Sequence, residues 1–534
     1  MKNTKNQILM PVVFALLVVL GIFIGRNFMP AHSGSGNPLM IYPQTNKLDA
    51  LMDHIVEEYV DTVNREEIEE AIIPEILKKL DPHTVYIPAK DLNKVNEELQ
   101  GNFGGIGVQF SMQEDTVLVI NVIPGGPSEE VGLLPGDRIV MVDDSIIAGK
   151  NIDTNDVMKK LRGEMGTQVK VGVIRRPSLE VADFTITRGI IPIYSVDVGY
   201  MVDDETGYIK VDRFAQTTYQ EFLTALAKLK ANNCQQVIID FRGNSGGLLD
   251  VAIALCNEFL AAKELIVYTE GKAQARQDVY SNGSGTCQDT KVVVLVDEFS
   301  ASASEIFAGA IQDNDRGVVV GRRSFGKGLV QQQIPLPDGS ALRLTVARYY
   351  TPSGRCIQKP YENGVEDYYH DIYNRFEQGE FFNQDSVHFD ESLQYKTKSG
   401  KIVYGGGGIM PDVFVPRDTS MITDYFVDLR RNGIIYRFAL KYADDNRKEL
   451  ENLRTANAIK EYLDAKNVVA DFLLYAKDKG VKFDKQQYEQ SKEIIDTELK
   501  AYVARNLIDN EGFYPIIHEI DDTFQKALEE AKKL

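Results

Sequence analysis

The stretch 291–331, KVVVLVDEFSASASEIFAGAIQDNDRGVVVGRRSFGKGLVQ, constrains this chain more than any other. Its β-branched run 292–296 has the length and composition of a strand buried on both faces. Ser300, Ser302 and Ser304 then alternate with small residues, and the apolar spacing of 305–313 is helical. A second apolar run at 318–320 reads as another buried strand, and Gly326-Lys327-Gly328 forms a tight segment after it. Strand, helix and strand in this order imply crossover connections within one sheet.

A serine at the mouth of a helix, followed by a lysine between glycines, suggests a nucleophile and its base. A serine hydroxyl is inert until a base takes its proton, and no histidine lies in the stretch. A neutral lysine can serve. Its free pKa is about 10.4, so bringing it near 7 costs roughly 4–5 kcal/mol. Burial in an apolar surround supplies such a shift. The helix start adds backbone N–H donors and a positive dipole end for a developing oxyanion. Taken alone, the three serines read as a helix cap. Taken with the lysine turn, they read as catalytic.

SASASEI followed by FGKGLVQ resembles the carboxyl-terminal processing peptidases, also called tail-specific proteases. The resemblance implies that Ser302 is the nucleophile, that Lys327, 25 residues later, is the general base, and that Gln331 orients the lysine. It also implies an oxyanion hole built from the N–H of Ala303 and one N–H of the glycine turn at 246–247, with Gly246 preferred. No metal or cofactor is implied.

The remaining chain is organised around this core. Its length suits three or four domains, and a net charge of −19 argues against nucleic acid as a partner. Lys2 and Lys5 precede an apolar run at 8–24. As a helix that run is about 25 Å long, the short end of a membrane span. Residues 1–30 therefore read as a membrane anchor or a signal segment, with an uncleaved anchor preferred, so that the protein is either inner-membrane anchored or secreted. The charge bias places the rest outside the cytoplasm, in the periplasm. A Ser/Gly linker covers 31–43. Cys234, Cys256, Cys287 and Cys356 show no metal spacing, and Cys234 and Cys256 read as free core thiols.

Residues 44–100 have helical apolar spacing and include Asp81-Pro82-His83-Thr84, similar to the family's Leu-Asp-Pro-His motif. His83 reads as structural. Such helices suit packing on the core or a homodimer contact. In 101–188, PGGPSEEVGLLPGDRI resembles a PDZ domain of the circularly permuted type. That resemblance implies that Gly105, Ile106 and Gly107 present backbone N–H groups to a peptide's terminal carboxylate, with the peptide adding a strand beside 106–110. Arg162 is either a positive contact near the peptide or the lysine, or a solvated helix-end arginine favoured by the dipole.

The protease core is expected over 189–417, with an insertion at 360–404, and a charged helical domain over 418–534 that suits scaffolding, dimerisation or an adaptor. The expected fold class is a multidomain α/β protein. It has a mixed, ClpP/crotonase-like protease core, an inserted PDZ domain, N-terminal helices and a C-terminal helical bundle. The expected function is that of a cell-envelope serine endopeptidase acting on proteins with accessible C-termini. One rival stands: Gly243–Gly247 fits G-x-S-x-G, which would make Ser245 the nucleophile of a hydrolase elbow. His370, His388 and His518 follow it, but in polar, aromatic or helical contexts, and that reading leaves Ser302 and Lys327 unexplained. The glycines at 405–408 lack the following Lys-Ser/Thr of a phosphate loop.

Overall fold

The computed structural model describes residues 46–534 except 114, 176, 177 and 179. The expected anchor (1–30) and linker (31–43) lie outside the described residues. Among the helices that are described, none is long and apolar enough to cross a membrane. The chain divides into two compact units at Ala71/Ile72. In the first, helix Lys47–Glu58 starts on Asn46, whose side chain accepts from Leu48 N–H. Arg65 pairs there with Asp53 and Glu69.

In the second unit, a six-stranded sheet carries the core. Its order is Val196–Met201, Thr206–Val211, Gln236–Asp240, Lys291–Val296, Val318–Gly321 and Val413–Phe414. The first pair is antiparallel and the others are parallel. Alternate residues point to opposite faces of a strand, and the packing follows that alternation. Val237, Ile239, Val292, Val294 and Val296 pack against helices Thr218–Ala231, Leu249–Phe259 and Ala303–Asp313 through Phe222, Phe259 and Phe307. Ile238, Val293, Leu295 and Val320 face the other way, onto Phe524, Ala527 and Ala531 of the final helix, Asp522–Lys533. Both faces are therefore dry, which is why these strands are apolar throughout.

The C-terminal helices build a core of their own around Phe426, Leu429, Phe438, Ile459, Phe472, Ile495 and Leu499. The final helix, however, is a layer of the protease sheet. This differs from the expectation of one charged helical domain over 418–534, because the apolar stripe of the final helix is buried by the sheet. Asp521 fixes the docking by accepting from Arg242, at the end of the strand Gln236–Asp240.

The small β module is a sheet of antiparallel strands, in the order Val108–Gln113, Thr116–Val122, Arg138–Val142, Gln168–Ile174 and Val181–Thr187. The last strand was not expected, because only one of its seven residues, Ile186, is buried. Helix Thr154–Leu161 packs on the module's core through Val157 and Leu161 and starts on Asp153, which accepts from Asn155 N–H at 2.7 Å. The chain enters through Asn102–Gly105 and leaves through Gly189–Pro192, two strands paired with each other, so the module is inserted with both ends tied.

A second sheet joins Leu329–Pro335 to Ala341–Tyr350 as a hairpin that turns through Leu336-Pro-Asp-Gly-Ser. Val85–Ile87 and Leu265–Glu270 pair with Ala341–Tyr350 as well. The insertion at 360–404 contains helix Val365–Glu377. All four cysteines are free, three of them buried and Cys356 half-buried.

Candidate active site

The site grows from three chain segments that end at one cavity of about 720 Å³. The first is the start of helix Ala303–Asp313. Ser302 is its N-cap, at φ 56° and ψ −113°. A non-glycine residue with positive φ is strained by on the order of 1–3 kcal/mol and persists only where the surroundings hold it. Here Glu305 accepts the Ser302 N–H at 2.8 Å, and Tyr349 donates its hydroxyl to the Ser302 carbonyl at 3.1 Å.

The second segment is the lysine turn. Gly326 takes φ 89°, and a side chain there would press on Gly408 and Lys359. Gln358 Oε1 accepts the Gly328 N–H at 2.8 Å, and Lys359 N–H donates to the Gly326 carbonyl at 3.0 Å. Lys327 Nζ donates to Gln331 Oε1 at 3.0 Å, and Gln331 Nε2 donates to the His83 carbonyl. Lys327 has no ion-pair partner among the described residues. Burial, with Arg343 as the next influence, pulls its amine down from the ordinary lysine value to about 8, against the opposite pull of Glu305 and Asp81.

The third segment is the glycine turn at 243–247. A Cβ on Gly246 would lie 2.7 Å from both Ser302 Cβ and the Ala301 carbonyl, so only glycine lets the turn close on the serine. The expectation that Gly246 is the oxyanion donor meets an obstacle: its N–H already donates to Asn244 Oδ1 at 2.8 Å. The Gly247 N–H has no partner among the described residues, since its neighbours Gly246 O and Leu248 N take the bonds to Phe214. Ser302, Ala303, Lys327, Gln331, Gly246 and Gly247 all line the cavity. Ser302 Oγ and Lys327 Nζ are not hydrogen-bonded to each other.

Glu305 ties the first two segments together and was not singled out from the sequence. It is fully buried, and its two oxygens accept from Ser302 N–H, Lys327 N–H (2.9 Å), Gly326 N–H (2.7 Å) and Ser324 Oγ (2.5 Å). Burial pushes its carboxyl up to about 7 against the four donors. Tyr349 adds a second tie, donating to the Lys327 carbonyl as well as to that of Ser302.

The Asp-Pro-His-Thr motif also reaches the site. Asp81 accepts from the N–H groups of His83 and Thr84 and from the hydroxyls of Thr84 and Thr345. That clamp holds the His83 carbonyl against Gln331. The His83 ring itself is hydrogen-bonded to Tyr368 and, by burial, held neutral with a pKa of about 3.

The rival nucleophile fares differently. Ser245 is exposed at the cavity, but none of the cavity-lining residues is a histidine. His518 is buried against Phe524 with its ring bonded to Tyr200, away from the serine. The histidine base that the elbow reading requires is therefore not among the residues lining the cavity with Ser245.

In the small module, Gly105 pairs with Gly189. The Ile106 and Gly107 carbonyls accept from Ser128 and Ile123. These residues lead into Val108–Gln113, which has a paired neighbour on one side only and so offers an edge to an added strand. Arg162 does not line the catalytic cavity. It lies 3.8 Å over the Phe103 ring and 3.9 Å from Glu97, which couples the module to helix Ala89–Gln100 rather than to Lys327.

Peptidase family S41 matches residues 205–369, the PDZ domain matches 104–186, and a family of unknown function matches 425–509. A carboxy-terminal-processing protease from Bartonella bacilliformis is 33% identical over 350 residues, covering 64% of this chain and 80% of that protein. The chain belongs to peptidase family S41. As an S41 peptidase it is a serine-type endopeptidase of the carboxyl-terminal processing class. A probable CtpA-like serine protease of Staphylococcus haemolyticus is 31% identical over 66% of this chain and 70% of its own length. The carboxy-terminal processing protease CtpB of Bacillus subtilis is 32% identical over 60% and 66%. S41 membership and the PDZ match account for the two segments quoted above, SASASEI…FGKGLVQ and PGGPSEEVGLLPGDRI.

Proposed function

We propose that this S41 peptidase is anchored in the cell envelope, captures the C-terminal tails of protein substrates on its PDZ module and cleaves them with a Ser302–Lys327 dyad. The observation that carries the reading is one cavity lined by a strained serine and by a lysine that has a glutamine partner and no ion pair. Neutral Lys327 takes the Ser302 proton as Oγ attacks the scissile carbonyl, and returns it to the leaving amine. The N–H groups of Ala303 and Gly247 hold the oxyanion. Gln331, held by the His83 carbonyl, keeps the amine aimed. The tail adds a strand along Val108–Gln113, with its carboxylate at the amides of 105–107. The charge pattern of 1–24 supports the envelope placement.

One assay tests these points together. Membrane and cytosolic fractions are given an unstructured protein with a free C-terminus, and the same protein with its C-terminus amidated. Activity is expected in the membrane fraction. Wild type and Ser245→Ala should cut, Ser302→Ala should not, and the amidated tail should be cut about tenfold more slowly, the cost of one lost charge-assisted contact. Cleavage that survives Ser302→Ala but not Ser245→Ala returns the nucleophile to the elbow. Equal rates on both tails remove tail capture, and purely cytosolic activity removes the anchor.

A further inference from the structure

The hairpin that carries Gln331 brings a second cation to the site. Gln331 and Gln333 lie opposite Thr345 and Arg343, and residues two apart on a strand share a face. Arg343 is therefore the next residue on the face where Gln331 receives Lys327, and both cations line the same cavity. The guanidinium of Arg343 is half-buried, and its hydrogen bond goes to Gln333 Oε1 at 3.2 Å. Neither Arg343 nor Lys327 has a carboxylate at ion-pair distance among the described residues. Glu98, from helix Ala89–Gln100, acts on this guanidinium from beyond ion-pair distance, so a partly desolvated cation without a close counterion shares the cavity with the group whose charge matters most to the reaction.

We infer that Arg343 is a positioning residue of the catalytic base, its permanent charge keeping the Lys327 amine neutral between turnovers and hastening its release of the proton. The inference rests on the dyad reading. The charges that act most on Lys327 are Arg343 from the hairpin, Glu305 from helix Ala303–Asp313 and Asp81 from the turn before Val85–Ile87, and Glu98, Asp212 and Arg213 also line the cavity. The neutral ring of His83 adds none. Glu305 and Asp81 favour the ammonium, but each already accepts four donors. Arg343 opposes them, and it cannot lose its charge in the working pH range. In the first half of the reaction the proton passes from Ser302 Oγ to Lys327 Nζ. In the second it passes to the leaving nitrogen, which a nearby guanidinium makes easier.

The test is the pH profile of kcat/KM for the full chain on an unstructured peptide, from pH 6 to 10. In wild type the profile should rise through about 8. Arg343→Gln should move that rise upward by about half a unit to one unit, a loss of roughly three- to tenfold at pH 7 that recovers at high pH. Gln333→Glu, which gives Arg343 a counterion, should move it the same way, and Arg343→Lys should leave it in place. A uniform loss at every pH, or an unmoved rise in both Arg343→Gln and Gln333→Glu, overturns the inference. If Arg343→Gln does not fold, Gln333→Glu and Arg343→Lys decide it. Lys327→Ala separates the two levels. Wild-type turnover in that variant removes the dyad itself, whereas an inactive Lys327→Ala with an unmoved rise removes only the role of Arg343.

Discussion

Lys327→Met is expected to lose about 10²–10⁴ in kcat, the range that a positioned general base contributes, and at the same time to melt higher than wild type at pH 7. The activity loss follows from the cavity, which Lys327 lines together with Ser302 and where it has Gln331 as its hydrogen-bond partner. The stability gain follows from the direction of the amine's shift. Its folded value, about 8, lies below the ordinary lysine value of 10.5. The unfolded chain therefore binds the proton more tightly, and the native state carries a penalty. That penalty is fully present below pH 8 and fades as pH rises toward 10.5. Methionine fills a similar volume without the charge. Calorimetric scans of both proteins should thus differ at pH 7 and converge near pH 10.5. A lower melting temperature for Lys327→Met at pH 7 would mean that the ammonium is welcome where it sits.

Glu305→Gln should be damaging out of proportion to its size. The carboxylate accepts four donors, two on each oxygen. A glutamine offers one accepting oxygen. If that oxygen keeps Ser302 and Lys327, the amide NH₂ meets the Gly326 N–H. If it keeps Gly326 and Ser324, the NH₂ meets two backbone donors. At least one buried N–H is orphaned either way. The cost is about 1–3 kcal/mol for the orphan, with the loss of charge-assisted bonds in addition. The Ser302 turn and the lysine turn lose their common tie, so on the proposed dyad kcat should fall by at least about tenfold, since small misplacement of reacting groups is expensive. A melting-temperature and kcat comparison checks both. Wild-type values for each would show that Tyr349 alone holds the two turns in register.

What could be read from the residues, and what could not, divides along sequence distance. Ser302, Lys327 and Gln331 stand in short segments whose types and spacing mark them as one constellation, and the structure brings all three to one cavity; the hairpin around Leu336-Pro-Asp-Gly-Ser is announced by its turn. The apolar runs 292–296 and 318–320 were legible as doubly buried strands because both faces must be dry. Glu305 was not legible as a hub. A glutamate in the first turn of a helix reads as a dipole partner, while three of its four donors come from a loop 19–22 residues away. The choice between Gly246 and Gly247 depends on where Asn244 Oδ1 points, which no pattern of types encodes. Gln331 is steadied by a backbone carbonyl, at His83, and carbonyls leave no trace in side-chain patterning. The final helix, Asp522–Lys533, has a narrow stripe of Phe524, Ala527 and Ala531. Such a stripe fits a small bundle as well as a sheet face, and only the distant small and β-branched residues of the core strands decide between them.

The account turns on the protonation state of one amine, and that can be observed directly. Full-length protein carrying isotope-labelled lysine, compared with the Lys327→Met variant to assign the resonance, allows Nζ of Lys327 to be titrated by NMR. The expected result is a single transition near pH 8. A transition at or above the ordinary lysine value of 10.5 would leave Ser302 without a base.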